Sequence, residues 1–276
     1  MAQMFGFIGN RSDLGAKVLE RHADILRLRR TGREALGWGI GFYQSGEVLL
    51  RRRPIDDREV IDLTETAENV RTDVLIGHVR HATVGELRTE NTHPFRYRMW
   101  LFAKTGTIAG FARLRTRLLE SQPEFLRRNV RGDTDSELFF YLFLSFLHDA
   151  GHLDDHHVAA EHVRAALRAS ISLVDRLSAE EGHRSNTGDI LVTNGEYLVG
   201  VHRNGQTALR LLRGKMDVEE LLGSDESARA RIPSVESSRF ALIASGLDHL
   251  PSGWTPVEAG TMVTLTRSES PTYESL

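Results

Sequence analysis

The chain has 276 residues, 40 % of them apolar and 26 % charged, a formal net charge of -3 and no cysteine. That composition supports an ordinary hydrophobic core, supplies no global basic field for nucleic acid, and excludes disulfides and thiolate metal sites. No run of ~18 apolar residues is present to span a membrane. The opening Met-Ala-Gln-Met-Phe-Gly-Phe lacks the basic segment and apolar core of a secretory leader, so a cytoplasmic location is expected.

In chain order, Met4–Ile8 reads as a short apolar strand that stops at Gly9-Asn10, a turn pair. Residues 12–30 carry Leu14, Val18, Ile25 and Leu28 at roughly helical spacing. Gly37–Tyr43 and Glu47–Arg51 flank Gln44-Ser-Gly46 and predict a hairpin. Asp56–Asn69 predicts a helix, Asp73–Val79 a buried strand, and Met99–Ala103 with Thr107-Ile108 a further pair. Helical periodicity then runs over Phe111–Arg128, Ser136–Asp149 and Val158–Leu177; the second of these is apolar nearly all round, as for a helix buried between layers. Strands return at Asp189–Thr193, Tyr197–His202, Arg239–Ser245 and Thr261–Thr266, with Asn194-Gly195 as a type I′ turn signal between the first two. Asp217–Glu236 is polar and predicts a loop or short helix. Strands first, helices in the middle and strands again predict an α+β fold: two sheets between helical layers, in one domain over residues 1–276.

Four blocks carry chemistry. They are Ile76-Gly-His-Val-Arg-His-Ala-Thr83, Asn91-Thr-His-Pro-Phe95, Trp100-Leu-Phe-Ala-Lys-Thr-Gly-Thr-Ile108 and Gly132-Asp-Thr-Asp-Ser-Glu137. In that order they resemble the class II glutamine amidotransferases, most strongly the stand-alone branch, with the likeness best over residues 1–140. The resemblance implies the N-terminal nucleophile hydrolase fold, a four-layer αββα sandwich of two antiparallel sheets.

It also implies a site. Arg80 would grip a glutamine α-carboxylate with its fork of donors, Asp135 would take the α-ammonium group, and Thr83 and Gly106 would complete the pocket. The bland alternative is that Arg80 and Asp135 pair with each other or with neighbours. Members of the family attack glutamine with an N-terminal cysteine activated by its own amine, and hold the oxyanion with an asparagine in a His-Asn-Gly turn.

Here the nucleophile position is Ala2 and the turn reads Lys104-Thr105-Gly106. Loss of an oxyanion donor alone costs ~10²–10³ in rate, about 3–4 kcal/mol. Leu36 stands where the family usually has Asp before Gly-Trp-Gly-Ile. An engineered cysteine-to-alanine change would alter one position only, so the three departures together favour natural loss of catalysis.

Three functions fit that pattern. The first is an inactive relative that keeps a glutamine or γ-glutamyl pocket and acts as a binding or regulatory partner. The second is an active amidotransferase or γ-glutamyl hydrolase whose cysteine has been replaced by Ala2. The third is a scaffold whose pocket is filled by side chains. A protein partner is expected in each case, because relatives commonly pass ammonia to a synthase; no nucleic acid, membrane or cofactor is expected. His152, Asp154, Asp155, His156 and His157 read as a solvated loop rather than a metal site, and Arg51-Arg-Arg53 as a charged sheet edge. His93 reads as structural, and His81 as pocket wall.

Overall fold

The computed structural model describes residues 2–22, 37–54, 70–80, 85–184, 187–223 and 237–276. Thirteen strands occur among them: β1 (Gln3–Gly9), β2 (Gly37–Gln44), β3 (Glu47–Pro54), β4 (Val74–Arg80), β5 (Phe95–Tyr97), β6 (Trp100–Lys104), β7 (Ile190–Thr193), β8 (Leu198–His202), β9 (Thr207–Arg213), β10 (Arg239–Ser245), β11 (Thr255–Pro256), β12 (Thr261–Leu265) and β13 (Thr272–Ser275). The α-helices are α1 (Gly15–Arg21), α2 (Phe111–Glu120), α3 (Glu124–Arg127), α4 (Asp135–Asp149), α5 (Ala160–Glu180) and α6 (Gly214–Leu222). The expected helix over 56–69, the distal part of the one over 12–30, and Leu36, His81 and Thr83 lie outside the described residues.

The strands form two antiparallel sheets, in the orders β11-β9-β10-β1-β4-β2-β3 and β13-β12-β8-β7-β6-β5. Period-two alternation decides what each face buries. Met4 and Ile8 of β1 join Ile76, Leu101, Ala103, Leu191 and Ile243 between the sheets. Phe5 and Phe7, on the other face, pack under Leu14 and Val18 near α1 and Leu221 of α6. The second sheet turns Phe102 and Val192 outward against α4 and α5. Helices, sheet, sheet, helices is the αββα sandwich expected from the sequence. Helix α4 is apolar on every side because sheet and helices surround it, with Phe102 stacked on Phe139 and Phe140 at ring distances of 5.9 and 5.1 Å.

Some boundaries moved for identifiable reasons. The helix expected over 111–128 is two helices, because Pro123 cannot continue the first and sits directly before the second. Thr107-Ile108 is not a strand; Ile108 turns its N–H to Asp135 instead. Asn194-Gly195 does connect β7 and β8, but Thr193 pairs with Leu198, so the connection is longer than a two-residue type I′ turn. The β2–β3 turn is the tight one: Gln44 pairs with Glu47, and Ser45 and Gly46 both have positive φ. β5, β9, β11 and β13 were not anticipated. Among the described residues no helix is long and apolar enough to cross a membrane.

A buried histidine adds a pH dependence to this frame. His22 stacks on Phe5 at 5.9 Å, meets the edge of Trp254, and turns Nδ1 to the Val18 carbonyl at 2.8 Å. Burial is the main reason its pKa falls to about 4. Between that value and the ordinary ~6.5 the unfolded chain holds a proton the folded chain refuses, so stability falls as pH drops through this window. We expect a loss of about 3 kcal/mol from this group between pH 7 and pH 4. Urea denaturation of wild type and His22→Leu across that range checks it: the wild-type curve should fall more steeply, and parallel curves would contradict it.

Candidate functional site

Strand β1 pairs with β4 in a register that sets Gln3 against Val79 and Met4 against His78. One step further along that register, Ala2 stands opposite Arg80 at the same end of the sheet. Gly246, at the end of β10, closes the other side: a Cβ there would lie 2.2 Å from the Ala2 carbonyl, and its φ is +75°. The backbone thus crowds the head of β1, and the residue there offers a methyl group.

Arg80 is 4 % exposed. Its two terminal nitrogens donate to the carbonyls of Glu86 (3.0 Å) and Gly85 (2.9 Å). Burial lowers its pKa from the ordinary value, and the charges of Asp133 and Asp135 oppose that shift, which places both carboxylates near the guanidinium. Asn91 latches the surrounding loops: its amide donates to the Glu86 carbonyl and to Asp133, and its oxygen accepts from the Asp133 N–H.

Asp135 is the first residue of α4, and local sequence fixes it there. Thr134 caps the helix by accepting from the Glu137 N–H at 3.2 Å, while the Glu137 carboxylate reaches back to the N–H groups of Arg131 and Gly132. The Asp135 carboxylate accepts from Ile108 N–H at 2.7 Å and from Lys104 Nζ at 3.2 Å. The Lys104 ammonium also donates to the carbonyls of Thr105 (3.3 Å) and Gly106 (3.1 Å). Three acceptors meet three ammonium protons, and the lysine side chain is fully enclosed.

The structure therefore brings Ala2, Arg80, Asp135 and Gly106 to one end of the sandwich, and Thr83 lies outside the described residues. Arg80 and Asp135 each have partners within the chain, as in the bland alternative. Thr105 is turned to β7: it donates its N–H to the Asp189 carbonyl and its hydroxyl oxygen accepts from the Asp189 N–H at 2.8 Å. His93 is buried against His78, with ring centroids 4.1 Å apart. Burial first, then the charges of its neighbours, pushes its pKa well below the ordinary value, so its ring stays neutral at physiological pH.

Sequence reasoning missed two residues here. Lys104 was read as a departure in a turn, not as the partner of Asp135; a cation replacing a histidine beside a pocket acid was the available signal. Asp189 was read only as the start of a strand. Its buried carboxylate accepts from His202, from the N–H groups of Arg203 and Asn204, from Thr207 and from Ser245, joining both sheets next to Thr105. His152 stacks on His162 at 3.8 Å, and the described residues contain no cluster of three or more His, Asp or Glu at metal-binding distances.

The chain is similar in sequence and fold to proteins of one family. The family described as "Glutamine amidotransferases class-II" matches residues 14–274. The Saccharomyces cerevisiae protein named probable glutamine amidotransferase DUG3 is 31 % identical over 134 residues, 46 % of this chain but only 38 % of that protein's length. A glutamine aminotransferase class-II domain protein from Silicibacter pomeroyi has the same fold at 18 % identity, TM-score 0.58, covering 99 % of this chain and 98 % of that one. The glutamine phosphoribosylpyrophosphate amidotransferase of Bacillus subtilis matches at 17 % identity, TM-score 0.56, over 99 % of this chain and 49 % of that one. With the family matched over nearly the whole length and its fold in place, the chain belongs to the class-II glutamine amidotransferases.

Proposed function

We propose that this protein is a non-hydrolytic member of its family, in which the place of a ligand's α-ammonium group is taken by the chain's own Lys104, and that it acts as a binding or regulatory partner of another protein. One observation carries the reading: the Lys104 ammonium, fully enclosed, is held by the Asp135 carboxylate and the Gly106 carbonyl. An incoming amino acid would need those same acceptors. To enter, it would have to displace a buried ion pair and leave one charge uncompensated, at a cost of roughly 3–5 kcal/mol. The absence of any cysteine removes the family's nucleophile as well.

Titration calorimetry tests the pocket. Wild type should give no heat with glutamine, glutamate or γ-glutamylglycine. Lys104→Ala should open the subsite and gain millimolar or better affinity for glutamine, a difference of about 3 kcal/mol or more from wild type. Tight glutamine binding by wild type would show that the lysine is no barrier.

A further inference from the structure

A cavity lies on the side of the α4 terminus away from Lys104. β3 and β5 are the edge strands of their two sheets, and they flank the same margin of the sandwich. Between them and α4 opens a cavity of about 560 Å³, a size that holds small organic ligands. It is separate from the Lys104 site. Successive helix residues turn ~100°, so Asp135 and Glu137 project to opposite sides, one toward Lys104 and the other toward the Arg131-Gly132 backbone.

The lining is strongly cationic. Arg52, Arg96, Arg98 and Arg131 face Glu90 and Glu137, an excess of two positive charges. Just outside, Asp154 pairs with Arg98, and Arg88 lies 3.9 Å from both Glu90 and Glu86, so the wider neighbourhood stays net positive by one charge. Two of the arginines are held in place by carbonyls: Arg52 donates to Thr92 and Pro94, and Arg96 to Val48 and Arg98. The Arg131 guanidinium has no hydrogen-bond partner among the described residues, although its neighbouring backbone is fixed by Glu137. Tyr97 and Tyr141 form an aromatic wall, edge to face at 6.1 Å, and the Tyr141 hydroxyl is anchored on the Asn129 carbonyl at 3.1 Å.

We propose that this cavity binds a phosphorylated small molecule bearing a planar ring. The phosphate matches the cationic lining and the open fork of Arg131, and the ring packs on Tyr97 and Tyr141. The inference does not depend on whether the Lys104 pocket is closed.

Calorimetry with phenyl phosphate and with inorganic phosphate tests it on wild type and on Arg131→Glu. Residue 131 is exposed and its side chain makes no hydrogen bond among the described residues, but its charge faces Glu137, so Arg131→Gln is measured beside Arg131→Glu and circular dichroism and melting temperature verify that both fold. Phenyl phosphate should bind about tenfold more tightly than inorganic phosphate, and Arg131→Glu should weaken it about tenfold or more. Absence of heat from both probes, equal affinity for the two, or unchanged affinity in the folded variant would each overturn the assignment.

Discussion

Ala2→Cys, produced with a free amine on the new cysteine, releases no ammonia from glutamine above the background rate, whereas Ala2→Cys combined with Lys104→His and Thr105→Asn does. The single variant restores the thiol but not the site around it. Lys104 still occupies the acceptors of Asp135 and Gly106. Thr105 anchors its hydroxyl oxygen at the Asp189 N–H, and a side chain shorter than asparagine lacks the amide donor the family places at the oxyanion. Absence of that donor alone lowers the rate by ~10²–10³, about 3–4 kcal/mol, and exclusion of the ammonium group comes on top. Coupled detection of released ammonia measures both variants. Robust turnover by Ala2→Cys alone would show that the sequence is one substitution away from an enzyme, the active-enzyme reading raised by the sequence. Expression of the triple variant as a folded protein, checked by circular dichroism, keeps its result interpretable.

The second large effect is on folding. Asp189→Asn should destabilise the protein by roughly 3 kcal/mol or more, read as a drop in the urea midpoint. The carboxylate is 1 % exposed and accepts from five donors in three parts of the chain. An asparagine keeps one acceptor oxygen and turns an NH₂ toward hydroxyls and N–H groups that need acceptors. Burial alone would raise the Asp189 pKa, but the bonds from His202, Ser245, Arg203 and Asn204 outweigh it and hold it below the ordinary value. A carboxylate with a depressed folded pKa stabilises the fold above its unfolded pKa, and that contribution disappears as pH falls through the folded one. Wild type should therefore lose more stability than Asp189→Asn on acidification below about pH 4. An unchanged midpoint in the variant would mean that the junction between the sheets does not depend on this charge.

Much of the architecture was legible because burial wrote it into the residue pattern. β1, β2, β4, β6, β8, β10 and β12 are apolar or glycine-rich runs between turn residues, and their ends fall within a residue or two of the expected ones. α4 was legible as a helix buried on all sides. β9 was not, because Thr-Ala-Leu-Arg-Leu-Leu-Arg has the composition of a helix; seven pairings with β10 decide it. β5 is three residues long and exists only through its partner β6. At the site, residue types could be read but not their partners. The sequence contains Arg80 and Asp135; that one is tied to the carbonyls of Gly85 and Glu86, and the other to a lysine 31 positions earlier, follows only from tertiary geometry. Asp189 was invisible for the same reason, since its donors come from the ends of β8, β9 and β10 and from the turn after β8.

The chain uses 32 arginines but only three lysines, at positions 17, 104 and 215. A guanidinium is a flat fork and could not meet three converging oxygens; a compact ammonium can. Of the three lysine side chains, those of Lys17 and Lys215 reach solvent while that of Lys104 is sealed. Acylating reagents can reach the first two and not the third. The extent of amine modification, read from intact mass, is thus a built-in gauge of whether this interior has come apart.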